Sequence, residues 1–260
     1  MCYDISFKVE IRQLNEYFPN LVHDDQMSLN LDAAIHIMGH AFGNHPIIFR
    51  DIKGDGKLHL RLMEWGCIPY YINDESAFIK QRTSMLNARS ERILEDTKSY
   101  WYKIRNRRCL IPVSGIYEHR EIAGWKKKVP YLIALKDQPI FFLPGLYSVA
   151  DIADKETGEL QKRYTFTIIT RPANNVMQQI HNSGDNLGRM PLFLSLEMSK
   201  QWVEEELNFA GYKTLLDFEM PSETLSYKTV YTIRTNKLRP DNKTKDKAYE
   251  WEQLPGLSLD

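Results

Sequence analysis

Cysteine is scarce in this chain: Cys2, Cys67 and Cys109 are the only three in 260 residues, and no two form a CxxC pair. So small and odd a set builds neither a disulfide framework nor a zinc knuckle, and it suits a reducing compartment. No run approaches the ~20 apolar residues of a membrane-spanning helix, and no apolar stretch follows a basic start as in a signal peptide. The expectation is a cytoplasmic protein, nucleoid-associated in a prokaryote, with no membrane partner. The GxxxxGK[ST] phosphate loop, the GxGxxG dinucleotide turn and the GxSxG elbow are missing too, which withdraws support from nucleotide-dependent and serine-hydrolase chemistry. No cofactor is implied. The nearest approach to a metal set is His36, His40 and His45 in HIMGHAFGNH. It lacks the glutamate of HExxH and a nearby acid or cysteine to complete it, so no metal site is expected.

Net charge is absent as well, with 34 Lys+Arg against 34 Asp+Glu, which argues against a general polyanion binder. The distribution is uneven, however. Between Lys80 and Pro130 thirteen basic residues stand against five acidic ones, either a solvated basic face or a track for a phosphate backbone. A composition of 43% hydrophobic and 26% charged residues is that of a folded globular protein. With no repeat and no low-complexity linker, one domain over residues 1–260 is the simplest organisation.

Several runs have strand character: KLHLRLMEW, VPYLIALKD, PIFFLPGLYSVA, YTFTIIT (164–170) and LSYKTVYTI. RPANNVMQQIH has helical spacing, with Pro172 suited to the first helical position and Val176, Met177 and Ile180 on one stripe. SLEMSKQWVEEELNF predicts an amphipathic helix capped by Ser195, with Met198, Trp202 and Leu207 among its apolar residues. Strands outnumber helices and do not alternate with them, which favours an α+β fold over a doubly wound sheet.

Cys2 directly follows the initiator methionine. Once Met1 is removed, Cys2 carries an amine and a thiol on adjacent carbons, a pair that closes on an aldehyde to give a five-membered ring. In LNARSERI, Asn87 and Arg89 share one face if extended, as a site edge or as a plain polar strand. RRCLIPVSGIYEHR reads strand, turn, strand. It places Glu118 between Tyr117 and His119, either desolvated as a general acid or exposed and paired with Arg120. His181 ends the predicted helix ahead of a glycine-containing loop and Arg189-Met190-Pro191, as a site residue or a helix cap. MEWGCIPYY offers Trp65 and Pro69 for base stacking or for core packing.

Taken in order, these pieces resemble the SRAP family, the SOS response-associated peptidases that process abasic sites. The matching stretches are Met1-Cys2, WG-x-IP from Trp65, NARSE from Asn87, RCLIP with G-x-YE ending at Glu118, AN-x-x-M-x-x-IH ending at His181, and RMP from Arg189. The resemblance covers about residues 1–205, and 206–260 match only loosely. It implies one compact domain with a mixed, barrel-like β core and peripheral helices; the need for an unhindered N-terminus and DNA groove suggests a monomer. It further implies self-removal of Met1 and a thiazolidine crosslink between Cys2 and abasic sites in single-stranded DNA. By the same resemblance Asn87 holds the abasic sugar, Glu118 acts as acid/base, His181 assists the Schiff base, and Arg89 and Arg189 bind DNA. Two departures stand out: Tyr3 and Asp4 replace the usual Gly-Arg after the cysteine, and NSGDNLG between His181 and Arg189 is longer than usual. The competing readings are an N-terminal-cysteine hydrolase of a small amide or peptide and a non-catalytic single-strand binder in which Cys2 is incidental.

Overall fold

The computed structural model describes residues 2–24, 34–52, 54–154, 156–235 and 237–258, so Met1 lies outside the described residues. In chain order the strands are β1 (Asp4–Phe7), β2 (Val22–His23), β3 (Ala34–Met38), β4 (Asn44–Arg50), β5 (Leu58–Trp65), β6 (Asn87–Arg89) and β7 (Arg108–Val113). They continue with β8 (Gly115–Arg120), β9 (Val129–Leu135), β10 (Phe141–Ala153), β11 (Leu160–Pro172), β12 (Arg189–Pro191) and β13 (Leu225–Thr229). The longest pair, β10 and β11, forms an antiparallel hairpin from Gly145↔Ile168 to Ala153↔Leu160.

Five strands, β11-β10-β7-β4-β5, run in neighbour order, and β5 returns to β11 through a short parallel pairing at Thr165↔Glu64 and Phe166↔Trp65. The ring is thereby closed, a barrel-like core that leaves none of its five strands as an open edge at that point. A second sheet, β13-β9-β8-β1-β3, packs beside it. The chain passes from one sheet to the other at Ser114, the single residue between β7 and β8.

The period-2 alternation decides which side each residue faces. Odd-numbered Ile47, Phe49, Met63, Trp65, Cys109 and Ile111 share a buried cluster with Ile116, Tyr131 and Ile133 of the second sheet. Even-numbered Ile48, Leu60 and Leu110 join a second cluster with Trp202, Val203, Tyr212 and Leu215 from two helices, Leu196–Glu204 and Phe209–Leu216. The expected α+β architecture is what the chain adopts.

Boundaries differ from expectation in two places. Ser195 does cap its helix, accepting from the Met198 amide at 3.2 Å. The helix stops at Glu204, however, and leaves Leu207 outside it, because Asn208 starts a new helix by accepting from the Gly211 amide at 2.9 Å. Pro172 is the last residue of β11, where its register partner is Arg189. The helix Asn175–Ile180 instead begins at Asn174, whose side chain accepts from the Met177 amide.

Gly145 marks the tightest approach in the barrel. A Cβ there would lie 2.4 Å from the Thr167 carbonyl oxygen and 2.5 Å from a methyl carbon of Ile111. Trp202 also donates its indole N–H to the Cys109 and Gly145 carbonyls, at 3.1 and 3.3 Å. Gly145→Ala is expected to cost about 1–3 kcal/mol through overpacking, seen in urea unfolding as a lower midpoint at unchanged slope.

Candidate active site

β1 is inserted between β3 and β8, with Asp4 opposite Tyr117 and Ile5 opposite Ile116. This carries the residue ahead of Tyr3 into the interior: Cys2 is fully buried. The Asn87 side-chain amide donates to the Cys2 carbonyl at 2.9 Å across a sequence separation of 85 residues. Asn87 is itself placed by β6, which runs parallel to β11 with Asn87 opposite Ile168. Its Oδ1 is buried and has no hydrogen-bond partner among the described residues. Burial pushes the Cys2 thiol well above its ordinary pKa, and the nearby Glu118 carboxyl pushes it the same way. Cys2 is therefore a thiol at neutral pH, not a thiolate.

Glu118 is almost wholly buried on β8, and its Oε1 has no partner among the described residues. Burial raises its carboxyl to about 8. His181 follows the last turn of the helix Asn175–Ile180 and faces Glu118, with Nε2 4.0 Å from the Glu118 Oε2. Its Nδ1 lies 2.9 Å from the Arg189 carbonyl, which can only accept, so Nδ1 carries the proton and Nε2 presents a lone pair to Glu118. Burial holds the imidazole down at about 4. Near neutral pH the two groups are thus a protonated carboxyl and a neutral imidazole, one proton donor and one acceptor with no ion pair between them. A cavity of about 290 Å³ opens over them, lined by Tyr3, Asp4, His119, Lys128, Asp185 and Arg234 among others.

A profile of the SOS response associated peptidase (SRAP) family matches residues 1–236. The chain belongs to the SRAP family. It is similar to YoqW of Bacillus subtilis, named an abasic site processing protein, with 35% identity over 141 residues, 54% of this chain and 55% of that protein. It is also similar to HMCES of Gallus gallus, likewise named, with 26% identity over 197 residues, 69% of this chain and 54% of that one. The chain spans about half the length of these relatives. Among solved structures, a Bacteroides thetaiotaomicron protein superposes with a TM-score of 0.75 at 26% identity, covering 95% of this chain and 97% of its own. A Bordetella bronchiseptica protein shares the fold at a TM-score of 0.67 and 18% identity, covering 89% and 100%.

In this SRAP chain Cys2, Asn87, Glu118 and His181 converge, while other sequence candidates occupy different places. Trp65 is 1% exposed, donates its indole N–H to the Leu86 carbonyl at 2.9 Å and lies beneath Gly39. Pro69 is buried too. Neither offers a face to a base, because the strand end that carries them is packed against β11. The exposed aromatics of that stretch are Tyr70 and Tyr71. Arg89 is exposed and its guanidinium meets Asn186 at 3.3 Å. Arg189 instead spends both terminal nitrogens on Glu91 and one also on the Thr170 carbonyl, while its own carbonyl orients His181. The extra residues NSGDNLG bridge the site: Asn182 pairs with the Glu121 main chain, Ser183 accepts from Lys128, and Asn186 from Arg89.

The basic segment does not form one face of the SRAP fold. Arg82 is buried in a network with Glu64 and Glu75, Arg120 donates to the Pro255 and Gly256 carbonyls, and Arg108 lies against Trp202 and Tyr212. Glu118 is accordingly not paired with Arg120. The three histidines of HIMGHAFGNH diverge as well: His36 meets Asp4, His40 packs at a tilt against the Tyr3 ring, and His45 reaches the Pro112 carbonyl in the core. Asp4 and Arg234 are the site residues that sequence reasoning missed. Asp4 is buried beside His36 Nε2 at 2.7 Å and accepts from Arg234 through both carboxylate oxygens. Burial works to raise its pKa, and these partners outweigh it and hold the carboxylate below its ordinary range.

The shift at Glu118 has a stability consequence. Between its ordinary 4.5 and about 8 the folded chain keeps a proton that the unfolded chain releases. The contribution of this group to stability therefore falls as pH rises through that window. Glu118→Gln, which has no proton to lose, is expected to gain stability over the parent from about pH 5 to about pH 8.5, by ~1.4 kcal/mol for each pKa unit of the shift. Denaturant titrations of both proteins at the two pH values measure it.

Proposed function

We propose that the chain is an abasic-site processing protein that captures the lesion covalently through Cys2. The observation that carries this reading is the meeting of a protonated Glu118 and a neutral His181 beside Cys2, under a cavity rather than within sealed core. Family membership and the names of the similar proteins support it. The single-stranded character of the DNA and the monomeric state belong to the same proposal.

An abasic sugar is mostly a closed hemiacetal. His181 Nε2 accepts the proton of the C1′ hydroxyl while Glu118 delivers one to the ring oxygen, and the aldehyde is exposed. The α-amine of mature Cys2, with an unperturbed pKa of ~7.7–8.0, attacks C1′; the former aldehyde oxygen takes the proton held by His181, the nitrogen gives one to the Glu118 carboxylate, and a carbinolamine results. Glu118 passes that proton to the departing hydroxyl, water leaves, and the carboxylate takes the remaining N–H proton as a C1′–N imine forms. Sγ then adds to C1′, the thiol proton passes to nitrogen, and the thiazolidine closes with one water released overall and no redox change. Asn87, already holding the Cys2 carbonyl, has its unpartnered Oδ1 available to a sugar hydroxyl. Exposure of the amine comes first: His181 Nε2 takes the thiol proton as Sγ attacks the Met1 carbonyl carbon, Glu118 protonates the departing nitrogen, and water hydrolyses the thioester to release methionine and restore the thiol.

The test is a denaturing gel of mature protein with a single-stranded oligonucleotide bearing one abasic site. A band that survives heat and detergent is expected, absent in Cys2→Ala and formed about 10²–10⁴-fold more slowly in Glu118→Ala. No band from protein shown by mass to lack Met1 overturns covalent capture and leaves the small-amide hydrolase in its place.

A further inference from the structure

Cys2 is followed by Tyr3-Asp4 and Ile5–Phe7, so the N-terminal strand brings no positive charge of its own to the site. The structure supplies one from the opposite end of the chain. Arg234 lines the same cavity as Glu118 and His181 and donates Nε to Asp4 Oδ1 at 3.1 Å and Nη2 to Asp4 Oδ2. This two-point grip orients the guanidinium plane, since both bonds run to one buried carboxylate. Nη1 takes no part in it and has no partner among the described residues, and the side chain is 43% exposed.

The main chain around Arg234 is held as firmly as its side chain. Lys245 Nζ donates to the carbonyls of both Ile233 and Thr235, one on each side of Arg234. Ile233 is buried. Asp246, next to Lys245, accepts from Lys8 at 2.7 Å and so fastens the tail to the segment that follows β1. An arginine tied at its fork and at both flanking carbonyls, yet open at one edge over a cavity, is preorganised for an anion. Salt-bridged decoration of a surface would need neither the Lys245 clamp nor the buried acceptor.

We infer that Arg234 is a phosphate-binding residue of the site, contacting a DNA backbone phosphate beside the abasic sugar through its outward edge while Asp4 fixes its orientation. This rests on the reading of single-stranded DNA as the substrate. The local charges fit the role: of the acids around the cavity, Asp4 is spent on Arg234 and His36, Glu118 is neutral, and Asp185 shares the lining with the two cations Lys128 and Arg234. Arg89 reaches the rim from β6 by way of Asn186, so a strand lying over the cavity meets two arginines from distant parts of the chain.

The test uses an oligonucleotide with a tetrahydrofuran abasic analogue, which has no aldehyde and binds without crosslinking, and follows anisotropy as a function of salt. Arg234→Gln is expected to weaken binding about tenfold at low salt. It should also lower the slope of log K against log salt by ~0.7, the value for one phosphate contact to a single strand. Arg234→Lys keeps the slope. Because Arg234→Gln leaves a buried carboxylate unpaired, the Asp4→Asn/Arg234→Gln double variant is measured beside it and should show the same lost slope. A parental slope in the folded double variant overturns the inference. Since this readout needs no Cys2 chemistry, a failed crosslinking gel with a lost slope would sink covalent capture alone. A crosslink with a parental slope would sink the role of Arg234 alone.

Discussion

Everything at the site depends on the insertion of β1 between β3 and β8, which carries the first described residues of the chain into the interior. A chain start is ordinarily solvated and mobile, because nothing repays the entropy of ordering it. Here the strand register, the Gly39 amide bonded to the Tyr3 carbonyl at 2.8 Å and the Asn87 amide on the Cys2 carbonyl hold it in place. Cys2 is thereby fixed against Glu118 by main-chain geometry, not by the reach of a flexible side chain. Ala88 and Leu86, both buried, keep Asn87 in register with β11, and Trp65 anchors Leu86 from below.

Burial at that position sets the protonation states. A carboxylate and an imidazolium brought together in low dielectric would have to recover the desolvation of both charges. The site avoids the cost by leaving both groups neutral: the same burial lifts Glu118 and lowers His181, so their ranges separate in opposite directions. The result is a donor and an acceptor ready near neutral pH, the condition under which acid–base catalysis is most effective. Asp4, equally buried, keeps its charge because His36 and Arg234 bond it directly. Two carboxyls on adjacent strands thus take opposite states, and the difference lies in partners, not in depth.

The sequence carried the local features well and the long-range ones poorly. Alternation located the long strands, and the segments with Asn87, Glu118 and His181 were legible as candidates because each interrupts an apolar pattern with a polar group. Trp65 and Pro69 misled for the reason that exposes the limit: an aromatic after a strand looks the same whether the next layer is solvent or β11. The basic segment misled similarly, since charge counting cannot see that Arg82 is consumed by Glu64 and Glu75 and Arg120 by carbonyls of the tail. Helix boundaries moved because side-chain caps at Asn174 and Asn208 outcompeted the weaker signal of Pro172 and of the apolar stripe. Arg234 had no local signal at all; its meaning comes from Asp4, a separation of 230 residues away.

The buried thiol finally constrains the order of chemical steps in the proposed reaction. With its pKa pushed well above the ordinary value, Cys2 sulfur attacks only where a base takes its proton, as in the proposed removal of Met1, whereas a mature α-amine has a substantial neutral fraction near neutral pH. Attack by nitrogen before sulfur follows. The imine that nitrogen creates becomes more electrophilic than the aldehyde once the thiol proton passes to its nitrogen, and that nitrogen lies on the adjoining carbon of the same residue. A protonated thiol then becomes suitable, because the proton it gives up is the one the ring nitrogen needs. Keeping Cys2 as a thiol also spares the site a second anion next to Asp4. The depth that makes the sulfur unreactive alone makes it fit to close the ring last.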